Sequence, residues 1–181
     1  MHIIIEGQDR CGKTSLTQEL IKYLTDKPIQ QLHYTAFKCF DKKQDCIKYS
    51  KSVYKQMFKF LKSNKTNYIL DRAHLGEYVY GYLYRKYTEK QARYIFKLEE
   101  ILKVNENKDI ALIVLADSSN ERLNREDGKS ISNDNKTSEI EFNRFKAAYG
   151  MSIIPNKIFI DIAGKDFNTV LNEVKSFLKF N

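Results

Sequence analysis

Apolar and polar positions fall into alternating blocks along the chain, and the blocks read as strands separated by helices. The run Ile3-Ile4-Ile5 predicts a buried strand, and the spacing from Ser15 to Leu24 predicts a helix after it. Ile29 to Tyr34 is a plausible second strand, and Ile47 to Leu61 places Val53, Met57, Phe58 and Leu61 at helical spacing. Tyr68-Ile69-Leu70 forms a short strand that ends in Asp71-Arg72. A helical pattern then runs from about Gly76 to Lys103, broken near Tyr87 and Thr88. Ile110 to Leu115 is uninterruptedly apolar, the pattern of a strand covered on both faces. A helix from Ser138 to Tyr149, a strand from Lys157 to Ile162 and a helix from Phe167 to Phe180 follow. Five strands separated by helices imply an α/β fold, with a five-stranded, mostly parallel sheet and helices on both faces.

The chain shows no internal repeat and no Pro/Gly linker, and Pro28 and Pro155 are its only prolines, so residues 1–181 read as one domain. Residues 118–138 are almost entirely polar, with Leu123 and Ile131 the apolar exceptions, and are expected to form an exposed excursion. With 42% hydrophobic residues, including 11 Phe and 12 Tyr, 181 residues suffice for a sheet covered on two sides. No apolar stretch reaches the ~20 residues that span a bilayer, and the N-terminus lacks a signal-peptide layout, so a cytoplasmic protein without a membrane partner is expected. Cys11, Cys39 and Cys46 form neither an even disulfide framework nor a metal pair and read as free thiols. A net charge of +8 suits a protein that handles polyphosphates and suits nucleic-acid binding equally. The lysines from Lys42 to Lys62 recur among apolar residues, which favours a solvated helix face over a nucleic-acid track.

The chemistry is concentrated between the first strand and the first helix. Gly7-Gln8-Asp9-Arg10-Cys11-Gly12-Lys13-Thr14 spells GxxxxGK[ST], a loop whose backbone N–H groups converge on phosphate oxygens at a helix N-terminus. Gly7 and Gly12 permit the turns, Lys13 is placed to reach the β and γ phosphates, and the Thr14 hydroxyl is placed to coordinate Mg²⁺. Residues Gly7 through Ser15 are therefore the expected ATP-binding segment. Cys11 sits at a helix N-terminus, where a thiolate is favoured, and this predicts sensitivity to oxidation. At the end of the third strand, Asp71 can hold Mg²⁺ through water and Arg72 can grip an acceptor phosphate in bidentate fashion.

Glu6-Gly7-Gln8-Asp9-Arg10-Cys11-Gly12-Lys13-Thr14 resembles the EGxDRxGKST opening of thymidylate kinases, which belong to the P-loop NTPase fold. Asp71-Arg72-x3-Gly76-x3-Tyr80 resembles that family's DRYxxSxxAYQ segment, and the wider spelling also resembles nucleotide kinases of phages. The resemblance implies that Asp9 contacts the acceptor's sugar or positions its phosphate, and that Arg10 stabilises charge on the transferred group. It implies that Asp71 organises Mg²⁺ and that Arg72 clamps the acceptor phosphate. Glu121-Arg122-Leu123-Asn124-Arg125 resembles the start of a lid, spanning about 118–138, in which Arg122 and Arg125 approach adenine and phosphates. Asp161-Ile162-Ala163-Gly164-Lys165 resembles the adenine-contacting loop, and Tyr80 aligns with the family's acceptor-site tyrosine. A homodimer is implied by the same resemblance.

The family's Tyr, Ser and Gln of the second motif are Ala73, Gly76 and Gly81 here, and the segment after the second strand reads Tyr34-Thr35-Ala36-Phe37-Lys38, with Lys38 a substitute for a missing arginine. Tyr80, Tyr84 and Tyr87 share a helical face and read as core packing, and His74 reads as structural. No acid stands between His33 and Asp41 to activate a hydroxyl, which favours an already ionised monophosphate acceptor. The expected activity is transfer of a phosphoryl group from ATP, with Mg²⁺, to a deoxynucleoside monophosphate, dTMP or dUMP first. A deoxynucleoside or polynucleotide 5′-kinase is the alternative, and a non-catalytic P-loop module is a third reading.

Overall fold

The computed structural model describes residues 1–24, 28–34, 43–63, 65–125 and 134–179. Five strands, β1 (His2–Gly7), β2 (Ile29–His33), β3 (Asn67–Asp71), β4 (Ile110–Ala116) and β5 (Asn156–Asp161), form one sheet in the order β2-β3-β1-β4-β5. Every neighbouring pair is parallel, so all strand C-termini, with Gly7, Asp71 and Ala116 among them, open on one edge. That edge is where open parallel sheets gather ligands.

Because successive side chains point to opposite faces, the apolar runs of β1 and β4 feed two cores. Ile4, Leu70, Leu112 and Val114 pack under α2 (Lys43–Ser63), α3 (Leu75–Tyr84), α5 (Tyr94–Ile101) and α6 (Asn135–Met151). Ile3, Ile5, Ala111, Ile113 and Leu115 pack under α1 (Lys13–Tyr23) and α7 (Phe167–Lys179). Each of these aliphatic side chains is at most 1% exposed, which corresponds to roughly 1.5–3 kcal/mol of hydrophobic stabilisation for a Leu or Ile.

The break expected near Tyr87 is present. α3 ends at Tyr84, Lys86 adopts φ 56°, and Thr88 restarts the chain as α4 (Glu89–Ala92) through a capping box with Gln91. Tyr87 therefore lies beyond the helix and shares no helical face with Tyr80 and Tyr84. It folds back onto Gly81, where an added Cβ would stand 2.5 Å from the Tyr87 ring. Tyr84 is among the exposed large side chains and not in the core. Tyr78 and Tyr82 sandwich the Arg144 guanidinium, at 4.1 and 4.0 Å from its carbon.

The excursion after β4 begins with a 3₁₀ turn at Glu121–Asn124, and α6 starts at Asn135, earlier than the Ser138 expected, because Asp134 caps it by accepting from the Thr137 N–H. Among the described residues no helix is long and apolar enough to cross a membrane. Cys46, read as a free thiol, is disulfide-bonded, whereas Cys11 is free and Cys39 lies outside the described residues. Spacing along a sequence carries no information on the close Cα approach that a disulfide requires.

Candidate active site

The loop between β1 and α1 is fixed at its first glycine. Gly7 adopts φ 136°, and a Cβ there would fall 1.8 Å from the Leu115 carbonyl oxygen, so only glycine allows β1 and β4 to meet at this point. Gln8 follows with its N–H donating to Leu115 O at 3.2 Å. Its buried amide donates to Ser138 O at 2.9 Å and accepts from the Asp117 N–H at 2.7 Å. Gln8 was expected among the ATP contacts; these bonds instead make it a strap between β4 and α6.

The Lys13 ammonium is buried and donates to the carbonyls of Gly7 (3.0 Å) and Gln8 (2.6 Å), with Asp9 at 4.0 Å. Burial, together with Arg72, pulls its pKa down, and Asp9 pulls it back up. The Thr14 hydroxyl donates to Asp71 Oδ2 at 3.0 Å, and His33 Nδ1 lies 3.1 Å from the same oxygen. Asp71 Oδ1 is buried and has no hydrogen-bond partner among the described residues. A hydroxyl and a carboxylate with an unsatisfied oxygen fit Mg²⁺, a hard cation that takes few protein ligands and keeps several waters. Among the described residues no group of three His, Cys, Asp or Glu forms a metal cluster.

Arg72 meets the phosphate loop at Asp9. Arg72 Nη2 donates to Asp9 Oδ1 at 2.8 Å, joining the end of β3 to the phosphate loop. Arg10 donates to Leu123 O at 3.1 Å, and both Arg10 (φ 64°) and Arg72 (φ 70°) hold left-handed backbones. Arg10, Gly12, Lys13, Thr14, Ser15, Arg72 and Arg125 surround a cavity of about 350 Å³. Six of these seven residues are the ones read from the sequence as phosphate-loop or lid residues, and the seventh, Arg72, is the one read as the acceptor clamp. A second cavity of about 180 Å³ adjoins at Gly12 and Arg125 and has an apolar wall of Leu16, Leu115, Phe167 and Val170. Lys165 lines it and pairs with Glu173 at 2.8 Å; Ala163 and Gly164 do not line it, and Gly164 serves the turn at φ 66°.

Arg122 departs from its expected place. It is 0% exposed, and its guanidinium donates to Asp9 O (3.1 Å), Ser138 Oγ (2.9 Å) and Glu141 Oε2 (2.9 Å). It braces the phosphate loop against α6 and is not among the residues that line the cavity beside Lys13. Cys11 also differs. Burial pushes its thiol up to about 12, which keeps it protonated at neutral pH and removes the basis for a favoured thiolate.

Where the sequence places the acceptor, Glu6, Tyr34, Arg72, Glu77, Tyr80 and Arg85 line a cleft of about 30 Å³, room for one water and too small for a nucleotide unless it widens. Tyr80 Oη is buried with no partner among the described residues, and burial and Asp9 push its pKa well up. Glu77 and Arg85 form an ion pair of 2.8 Å in the floor. Lys38 lies outside the described residues. Sequence reasoning gave no role to Glu6, His33, Glu77 or Arg85. Glu6 carried a signal nonetheless, as a lone charge closing an apolar strand. Another cavity, of about 360 Å³, lies against Met1, Tyr23, Leu24 and Asn67 at the opposite sheet edge and holds none of these groups.

No protein-family model and no curated protein sequence matches the chain. Solved structures do. A thymidylate kinase from Candida albicans is similar at TM-score 0.68 and 15% identity, over 99% of this chain and 91% of that one. The YorR protein from Bacillus subtilis, in complex with phosphorylated GDP, is similar at TM-score 0.62 and 19% identity, over 99% and 96%. A deoxyadenosine kinase from M. mycoides, with products dCMP and dCDP bound, gives TM-score 0.60 and 15% identity over 100% of both chains. The chain has the P-loop fold of thymidylate-kinase-like nucleotide kinases.

Proposed function

We infer that this protein transfers the γ-phosphoryl group of ATP to a deoxynucleoside monophosphate, dTMP or dUMP first, with Mg²⁺. One observation carries the reading: Arg72 reaches from β3 to Asp9 of the phosphate loop at 2.8 Å, so an acceptor clamp and a triphosphate cradle share one cavity. Phosphoryl transfer asks a protein for positioning and positive charge more than for covalent chemistry. In this reading Lys13, Arg10 and Arg125 offset charge on the transferring group and Arg72 holds the acceptor phosphate. Asp9 orients Arg72, and the apolar pocket beside Phe167 takes the donor base. Thr14 and Asp71 would hold Mg²⁺, which when bound would neutralise phosphate oxygens and align them. The likeness to thymidylate kinase supports a monophosphate acceptor.

A hydroxyl acceptor is the second reading, favoured by His33. It stands at the end of β2 against Asp71, a ring able to take a proton from a 5′-hydroxyl, and one similar structure is a deoxyadenosine kinase. ATP consumption against a panel of deoxynucleoside monophosphates, deoxynucleosides and 5′-hydroxyl oligonucleotides decides between them. Turnover on a monophosphate is expected. Turnover only on nucleosides or oligonucleotides replaces the first reading with the second, and turnover on none leaves a P-loop binding module.

A further inference from the structure

We propose that Glu6 is a positioning residue for the acceptor clamp: from β1 it ties down the turn between β3 and α3 and thereby fixes where the Arg72 guanidinium stands. This rests on the acceptor-kinase reading above. A helix N-terminus leaves its first N–H groups without intrahelical partners, and His74, at the start of α3, supplies no side-chain cap. Glu6 supplies one from 67 to 70 residues away. Its Oε1 accepts from the N–H groups of Ala73 (3.0 Å), Leu75 (2.7 Å) and Gly76 (3.3 Å). The Arg72 N–H donates to the preceding residue of the strand, Ile5 O, at 2.9 Å. Two consecutive β1 residues thus hold the backbone from Arg72 to Gly76, and the next residue, Gly7, opens the phosphate loop.

Arg72 needs such support. Its backbone is left-handed at φ 70°, a conformation a non-glycine residue keeps only where its surroundings impose it. The guanidinium is tied at its tip to Asp9 alone among the described side chains, with the side chain 36% exposed. Its position is therefore set at two points, the Asp9 carboxylate and the turn that Glu6 caps. Glu6 is 1% exposed, so its carboxylate is held in place by the protein around it. Burial pushes its carboxyl pKa up, while His74, the N–H groups of Gly76 and Leu75, and Lys13 pull the other way.

The test is steady-state kinetics on the most active monophosphate of the panel, with each substrate varied at saturation of the other. The proteins are wild type, Glu6→Ala, Glu6→Gln, Arg72→Ala and the double variant Glu6→Ala/Arg72→Ala. Glu6→Ala is expected to lower acceptor kcat/KM by about tenfold or more and to leave the ATP KM within about twofold. Glu6→Gln, whose amide oxygen accepts the same three N–H groups, is expected to recover to within about threefold of wild type. In the Arg72→Ala background, Glu6→Ala should cost less than about twofold further. An undiminished loss in that background, an equal loss on both substrates, or a Gln variant no better than Ala overturns the positioning role. If Glu6→Ala does not fold, Glu6→Asp, which keeps the charge but shortens the reach, must show the acceptor-side loss in its place. A strong Arg72→Ala effect with a weak Glu6→Ala effect refutes the positioning alone, whereas an Arg72→Ala variant with normal acceptor kinetics refutes the clamp as well.

Discussion

Arg122 offers a sharp test of what the excursion after β4 does. Replacing it with Met keeps the volume and removes the charge, leaving Glu141, 1% exposed and bonded by Tyr84 Oη at 3.0 Å, without the guanidinium that pairs with it. Breaking a buried pair from one side costs about 3–5 kcal/mol, because the surviving charge stays desolvated. The lost bonds to Asp9 O and Ser138 Oγ add to this at about 1 kcal/mol each. Against a domain stability of roughly 5–15 kcal/mol, the variant should be visibly weakened. With an m-value of about 2 kcal/mol per molar urea, its unfolding midpoint should drop by about 3 M. The double variant Arg122→Met/Glu141→Leu, which removes both charges, should regain much of the loss. Urea denaturation followed by circular dichroism measures all three proteins. A variant that unfolds like wild type yet has lost ATP turnover would refute the brace and restore Arg122 to a lid arginine that meets the phosphates.

Further outcomes follow from the geometry at Lys13, Cys11 and Gly81. Lys13→Ala should abolish phosphoryl transfer, by at least about a thousandfold in single-turnover assays, while the fold by circular dichroism is kept. Cys11 should resist alkylation at pH 8 by about a thousandfold relative to an exposed thiol, read by mass spectrometry; rapid labelling of folded protein would refute its burial. Because its folded pKa is raised, to about 12 from 9.0, the stability it contributes is intact below pH 9 and lost as pH rises toward 12. The difference between wild type and Cys11→Ala should therefore fall by about 1.4 kcal/mol per pH unit in that window. Gly81→Ala should destabilise by up to about 2 kcal/mol in thermal unfolding despite the ~1 kcal/mol helix-propensity gain, since its Cβ meets the Tyr87 ring; a raised Tm would refute that packing.

The sheet was legible because both of its signals are local. Ile3-Ile4-Ile5 and Ile110 to Leu115 are apolar at every position, and only a strand buried on both sides needs that pattern. The phosphate loop was legible for the same reason, being contiguous and flanked by the strand and helix it requires. Arg122 was not. A polar run reads as solvent-exposed, and what buries this arginine is Glu141, 19 residues on, and the Asp9 carbonyl, 113 residues back. His33 and Glu6 were missed in a similar way, since their partners, Asp71 and the turn at Ala73 to Gly76, are neighbours only across the sheet. Of the three tyrosines read as core packing, Tyr87 lies in the core and Tyr80 packs against it, but the shared helical face does not exist, because the periodicity carried the helix to Tyr87 where the chain turns at Lys86.

The left-handed backbones of Arg10 and Arg72 set folding and turnover in opposition. Glycine or asparagine at either position would adopt φ 64° or 70° at little cost and relieve a conformational penalty of about 1 kcal/mol. Neither would bring a guanidinium to the cavity. Variants of this chain selected only for thermal tolerance should therefore drift toward Gly or Asn at positions 10 and 72, and the same library selected for nucleotide turnover should hold arginine at both.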